Sequence, residues 1–344
     1  MKPKLKNIIR FTVFLGIGIF FIWIFLHNLS AEQKREIMVS MGKANYWWIL
    51  AAIPLGVLSH YIRSLRWKML IEPMGYHPRN SNMFFAVFIG YFANLALPRL
   101  GEVSRCTVLT RYENVPFNKS FGTVITERAL DMIIFLILFF LNIALQAARI
   151  SEYIDQKIYK PLEAKLHISY DLSGFLSLIV LTTGVVFVLF IIIFRKRIIS
   201  SKLYIKIKSL TFGFVEGMKS LLKVRNLWLF VFYSLVIWML YLLMAYIVFF
   251  SMPGSSGLSL DAGLAVLVFG TIGIMVVQGG IGIYPAIVAE TLVLYGVAST
   301  QGYALGWLIW SSQTITIVLV GIISMILLPL LNNHRHDKTG KNPK

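Results

Sequence analysis

The sequence predicts an all-α polytopic integral membrane protein, and three observations carry that prediction. The chain has 344 residues, of which 57% are hydrophobic and only 14% charged; soluble domains carry about 25% charge. Several apolar stretches reach the roughly 20 residues that a crossing helix needs. None shows the short alternating segments of a transmembrane barrel. The expected layout is a single membrane domain over 1–331 and a short basic tail over 332–344. The domain holds about six full spans plus two re-entrant or broken hairpins, arranged as an inverted repeat.

The spans are expected near 8–28, 46–70, 122–147, 173–194, 226–250 and 303–331. The first follows Lys2, Lys4, Lys6 and Arg10 and looks like a signal peptide. No small-x-small cleavage site follows it, so it is expected to be a retained helix. Two further apolar stretches, 83–111 and 261–297, are interrupted. The first is broken by "NLALPRLGEVSR" (94–105), the second by "VVQGGIGIYP" (276–285).

Lys and Arg in short loops set the direction of the spans. The N-terminus, 63–79, 99–119, 195–225 and the tail together hold 25 of them, whereas 29–45 and 148–172 hold seven. The five rich segments, and so both termini, are expected in the cytoplasm. Segments 63–79 and 99–119 then lie on one side, and the stretch between them has to enter and return. Pro98 and Gly101 are the expected turn. By the same reasoning 261–297 starts and ends outside. It is either a hairpin or two crossings, and Gly279, Gly280 and Gly282 favour the hairpin. The halves, about 1–147 and 173–331, would then be inverted copies of one plan, an architecture many transporters share. The glycines alone have a plainer explanation, close helix approach.

The formal net charge is +18. Its clustering in loops fits topology rather than nucleic-acid binding, for which no aromatic-basic module is present. Cys106 is the only cysteine, which excludes an internal disulfide framework. No metal, cofactor or nucleophile-elbow pattern is found. "GFVEGMKS" (213–220) misses the phosphate-loop spacing by one residue.

"ITERALDMIIF" (125–135) places Glu127, Arg128 and Asp131 at the start of a span. Each charge in hydrocarbon costs about 2.5–3.5 kcal/mol on insertion scales. One reading is snorkelling to the interface. The other is a polar cavity shared with Arg99, Glu102 and Arg105, whose signs would balance. Arginine suits a bidentate phosphate or carboxylate, and an unliganded Arg–Glu lattice would serve equally as structural glue.

The motifs "RSLRWKML" (63–70), "NLALPRLGEVSR", "ERALD" (127–131) and "QGGIG" (278–282) stand in the order of the flippase-like transmembrane family. This is the family of the membrane half of lysylphosphatidylglycerol synthases, the multiple peptide resistance factors. The resemblance implies that Pro98, Arg99, Gly101, Glu102, Arg105, Glu127, Arg128 and Asp131 are positions characteristic of the family; with Arg66 and Asn94 beside them, Arg66, Asn94, Arg99, Glu102, Arg105, Glu127, Arg128 and Asp131 are the expected substrate contacts. Gly279, Gly280 and Gly282 match the family's second motif, and Pro98, Gly101, Gln278, Gly279, Gly280, Gly282 and Pro285 are expected to form the moving hairpins. The family commonly continues its glycine motif with a hydrophobic residue and Arg-Glu. Here Ile283, Tyr284 and Pro285 follow, and the nearest acid is Glu290.

The implied function is translocation of a phospholipid or a polyprenyl-phosphate-linked lipid across the cytoplasmic membrane. No cofactor is expected, and the short tail leaves no room for an aminoacyl-transferase domain. The alternatives are a lipid-modifying enzyme, with Glu102 or Asp131 as base, and a non-transporting envelope scaffold. Expected partners are the bilayer, a lipid substrate, and a second copy or an envelope lipid-synthesis enzyme.

Overall fold

The computed structural model describes residues 29–97, 99–154 and 224–339, together with positions 16, 19–20 and 22–27. The expected span 173–194, most of 8–28, and the loops 155–172 and 195–223 lie outside the described residues, as does Pro98. One compact unit comprises Met1–Asn142 and Ser220–Lys344, the other Ile143–Lys219. Of the second, only its opening residues, which continue a helix, are described.

Among the described residues the fold is all-helical. Nine α-helices follow in order: α1 Ala31–Gly42, α2 Tyr46–Ile71, α3 Asn80–Ala96, α4 Leu100–Glu113, α5 Phe117–Ile154, α6 Leu227–Ile247, α7 Leu260–Val276, α8 Ile283–Val293 and α9 Ser299–Thr339. Four are long and apolar enough to cross a membrane: α2, α5, α6 and α9. They match the expected spans near 46–70, 122–147, 226–250 and 303–331. The protein is a multi-pass membrane protein.

The polar segment 29–45 is expected to be loop, but Ala31–Gly42 within it forms helix α1. Its signal is local. Ser30 accepts from the Gln33 backbone N–H at 3.1 Å, and the Gln33 side chain accepts from the Ser30 N–H at 2.9 Å. That is a reciprocal capping box.

Both interrupted stretches are helix–turn–helix hairpins. The arms of the first are α3 and α4, of 17 and 14 residues; those of the second are α7 and α8, of 17 and 11. An 11-residue arm is about 16 Å long, half a bilayer's hydrocarbon. An arm of that length fits the expected hairpin rather than a full crossing.

Side-chain pairs show how the pieces are oriented. Helices α2 and α6 run antiparallel, because Asn45 N–H donates to the Ser251 carbonyl at 2.8 Å, Arg63 reaches Tyr241 at 3.3 Å, and Arg66 reaches Ser234 at 3.0 Å. The hairpins that follow α2 and α6 therefore enter from opposite faces.

Helix α9 runs past both. Gly302 and Gly306 lie against Ala289 and Pro285 of α8, Trp310 Nε1 donates to the Gly279 carbonyl at 2.6 Å, Gly321 lies against Phe92 of α3, and Asn332 pairs with Asn82 at 3.0 Å. From Gly302 to Asn332 the helix rises about 45 Å, the thickness of a whole bilayer. The two hairpins thus stack tip to tip along one full-length helix. Leu95 of the first tip lies next to Gly279 of the second.

Trp47 at the start of α2 and Trp228 at the start of α6 are 78% and 87% exposed. They lie at opposite ends of the antiparallel pair, about 35–40 Å apart along the helix axes. This is the spacing of interfacial aromatic belts.

Candidate functional site

Between Trp228 and the middle of the bundle lies a buried ionic cluster. Glu127 of α5 is fully buried and accepts from three arginines. Arg63 Nη1 lies at 2.6 Å, Arg66 Nη2 at 3.3 Å and Arg105 Nη2 at 2.7 Å. Asp131, one turn on, accepts from Arg63 at 2.6 Å and Arg66 at 2.8 Å. At the open side of this cluster the exposed Arg128 pairs with Glu102 at 3.0 Å. Aromatic rings complete the shell. The Arg105 guanidinium lies 4.4 Å from the Trp67 ring centroid, and that of Arg63 lies 6.0 Å from the Tyr91 and Tyr241 centroids. Trp67 itself donates to Thr123 at 2.8 Å.

This arrangement corrects the sequence reading in one respect. Segment 63–79 was assigned to a cytoplasmic loop, yet Arg63 and Arg66 are 3% and 0% exposed inside α2. Arg105 is 4% exposed inside α4. The remaining basic residues of the rich segments still number 22 against seven. Arg63 is a member of the cluster that is not among the expected substrate contacts. Its signal was present: Arg63 and Trp67 are four apart, and apolar residues continue to Ile71, so the helix does not stop at the arginines.

The expected contact between the first hairpin and α5 is present for Arg105 and Glu102. Arg99 forms no ion pair among the described residues. It sits at the tip instead, in the left-handed conformation with φ 65°, and is exposed. Gly101 was expected to be the turn. It is instead the second residue of α4, and its missing side chain lets α3 and α4 touch. A Cβ there would run into the Gly90 carbonyl oxygen, and it would lie 2.6 Å from the Asn94 side chain. Asn94 Oδ1 accepts from the Gly101 N–H at 2.7 Å and caps the start of α4.

At the second tip Gly279, Gly280 and Gly282 have φ of 70°, 71° and 73°. Turn geometry, rather than close helix approach alone, accounts for all three. Tyr284 and Pro285, where the family commonly has Arg-Glu, are buried, and Glu290 is exposed. The second tip therefore carries no side-chain charge.

The two tips enclose a cavity of about 720 Å³. One wall is polar: His60, Arg63, Asn94, Arg99, Glu102, Arg128 and Asp131. The rest is largely apolar, with Phe135, Trp238, Met244, Leu267, Met275 and Trp310. All four long helices and both hairpins contribute. Arg66, Arg105 and Glu127 lie behind the polar wall and hold it in place. No group of His, Cys, Asp and Glu among the described residues is arranged to hold a metal ion.

A cavity at the meeting point of two opposed hairpins, fenced by the Pro-Arg-x-Gly-Glu-x-x-Arg and Glu-Arg-x-x-Asp motifs, is consistent with the sequence match. Residues 7–321 match the lysylphosphatidylglycerol synthase TM region. The chain belongs to that family. A UPF0104 membrane protein of Methanocaldococcus jannaschii is 31% identical over 139 residues, which is 40% of each chain. The glycosyltransferase AglD of Haloferax volcanii is 26% identical over 134 residues, 39% of this chain and 21% of that protein. The chain therefore spans well under two thirds of the length of these relatives. No solved structure matches it.

Proposed function

We propose that this member of the lysylphosphatidylglycerol synthase TM region family is a lipid translocase. Its cargo would be a phospholipid or a polyprenyl-phosphate-linked lipid. The observation that carries this reading is the cavity itself, with charge on one wall, apolar side chains on the others, and a hairpin tip from each membrane face. A head group crossing hydrocarbon faces the desolvation cost of any buried polar group. The arginine wall offers it a partner part-way across, and the apolar walls suit its chains. Alternating access would come from the hairpins, whose tips meet without a covalent or ionic tie between them among the described residues. In this reading the protein is a transporter and not an enzyme. Asp131 is committed to Arg63 and Arg66, which makes it a poor general base.

The basic end of the bundle, carrying Lys68, Arg79, Arg111 and Lys119, would face the cytoplasm. Single cysteines replacing Lys119 and Lys43 should then label from opposite sides of sealed vesicles; labelling from the same side removes this orientation. Native Cys106 is buried and adds little background.

The test of function is a reconstituted translocation assay with a panel of labelled lipids. Wild-type protein should move at least one class, and Arg99→Gln should abolish that movement while leaving the protein folded. If Arg99→Gln transports at the wild-type rate, the charges are structural. If no lipid in the panel moves, the translocase reading is lost.

A further inference from the structure

The charges around the cavity do not balance. Five guanidiniums, of Arg63, Arg66, Arg99, Arg105 and Arg128, meet three carboxylates, of Glu102, Glu127 and Asp131. The formal surplus is two positive charges, and it is unevenly placed. Three buried arginines share Glu127 and Asp131, which leaves one positive charge inside the lattice. Arg128 and Glu102 cancel. Arg99 supplies the second positive charge, at the first tip and facing the cavity. The lattice charge is buried, where an uncompensated charge is strongly unfavourable, and the exposed Arg99 adds a second positive charge at the cavity mouth, so a site built this way recruits an anion.

A second, independent feature points the same way. His60 lines the cavity at 7% exposure, and its Nδ1 has no hydrogen-bond partner. A neutral imidazole nitrogen can accept or donate according to tautomer, so it can meet an oxygen acid in either protonation state.

The helix dipoles do not decide the matter. Each tip joins a helix C-terminus to a helix N-terminus, and their partial charges largely offset. The side chains therefore set the sign. The acids leave little for a cationic head group: Glu127, Asp131 and one oxygen of Glu102 are occupied by arginine. Glu102 Oε2 alone lacks a partner. One carboxylate oxygen beside a surplus of two guanidiniums is a poor ammonium site.

We infer that the cavity selects a lipid whose head group is a dianionic phosphate monoester, over zwitterionic or monoanionic phosphodiester lipids. This rests on reading the cavity as a lipid head-group site, and it narrows the class of lipid.

The closing experiment measures binding and transport separately. The protein is reconstituted and its affinity measured by native mass spectrometry for phosphatidic acid, phosphatidylglycerol and phosphatidylethanolamine with identical chains. Inorganic phosphate and glycerol phosphate serve as competitors. The expected order is phosphatidic acid, then phosphatidylglycerol, then phosphatidylethanolamine. The outer pair should differ by about tenfold or more, as a partly screened extra charge contact implies. Arg99→Gln should flatten the step between the first two, and Arg99→Lys should keep it. The wild-type order decides the matter even if a variant fails to fold.

A flat order overturns the inference, and if lipids still move in the assay above the translocase reading stands without it. The expected order with no lipid movement keeps the inference and removes the translocase reading. Displacement of the lipid by inorganic phosphate or glycerol phosphate at comparable concentration also overturns it, because the site would then serve a soluble anion.

Discussion

The two hairpins have similar frames and different tips. Both have an arm of 17 residues followed by a shorter one, and both turn through left-handed backbone. The first reaches that conformation with Arg99, a residue for which it costs about 1–2 kcal/mol. The second uses three glycines, for which it costs almost nothing. The first hairpin is bonded into an ionic lattice through Arg105 and Glu102. The second is held by packing and by a hydrogen bond from Trp310 to Gly279. Shape alone is enough at the second tip, so glycine is used there. At the first tip a side chain is needed in the cavity, and the backbone strain of Arg99 is tolerated for it. Strain of this kind gathers at functional sites.

The sharpest way to break the comparison is to remove the lattice. Glu127→Leu leaves Arg63, Arg66 and Arg105 buried with only Asp131 to share. Thermal or denaturant unfolding in detergent should show a loss of about 3–5 kcal/mol. Glu290→Gln, exposed on the second hairpin away from its uncharged tip, should stay within about 0.5 kcal/mol of wild type. Equal losses for the two would mean that the first hairpin is no more dependent on charge than the second.

Leucine at the two critical glycines should separate them less widely. Gly101→Leu drives a side chain into the Gly90 backbone and Asn94, and should cost about 3 kcal/mol, at the top of the overpacking range. Gly280→Leu meets the Ile274 and Tyr284 side chains, which can shift, and adds left-handed strain. A loss of about 2 kcal/mol is expected. A larger loss at Gly280 would reverse the assignment of the tighter approach to the first hairpin.

The smallest effect has the opposite sign. Arg99→Gly relieves the left-handed strain and should stabilise the protein by about 1 kcal/mol. It should also lose transport, since the side chain at the tip is gone. A destabilised Arg99→Gly protein would show that the arginine holds the fold together rather than serving the cavity.

The sequence alone determined the fold class, four of the long helices, both hairpins and most of the charged residues at the site. These follow from hydropathy, helix-breaking residues and the direction set by basic loops, all of which act locally along the chain. The capping box of α1 is equally local, but the polar composition of 29–45 masks it. Only the tertiary structure decided which arginines are buried. Arg63 and Lys68 look alike in the sequence, five residues apart in one basic segment. Arg63 meets Glu127, 64 positions away, and is buried, whereas Lys68 pairs at 3.7 Å with Glu72 near the surface. Whether a charge at a helix end is solvated or enclosed depends on what the other helices bring opposite it. The same holds for the turn. Composition favoured Pro98 and Gly101, but Gly101 was needed where α3 and α4 touch, so the left-handed position at the tip fell to Arg99.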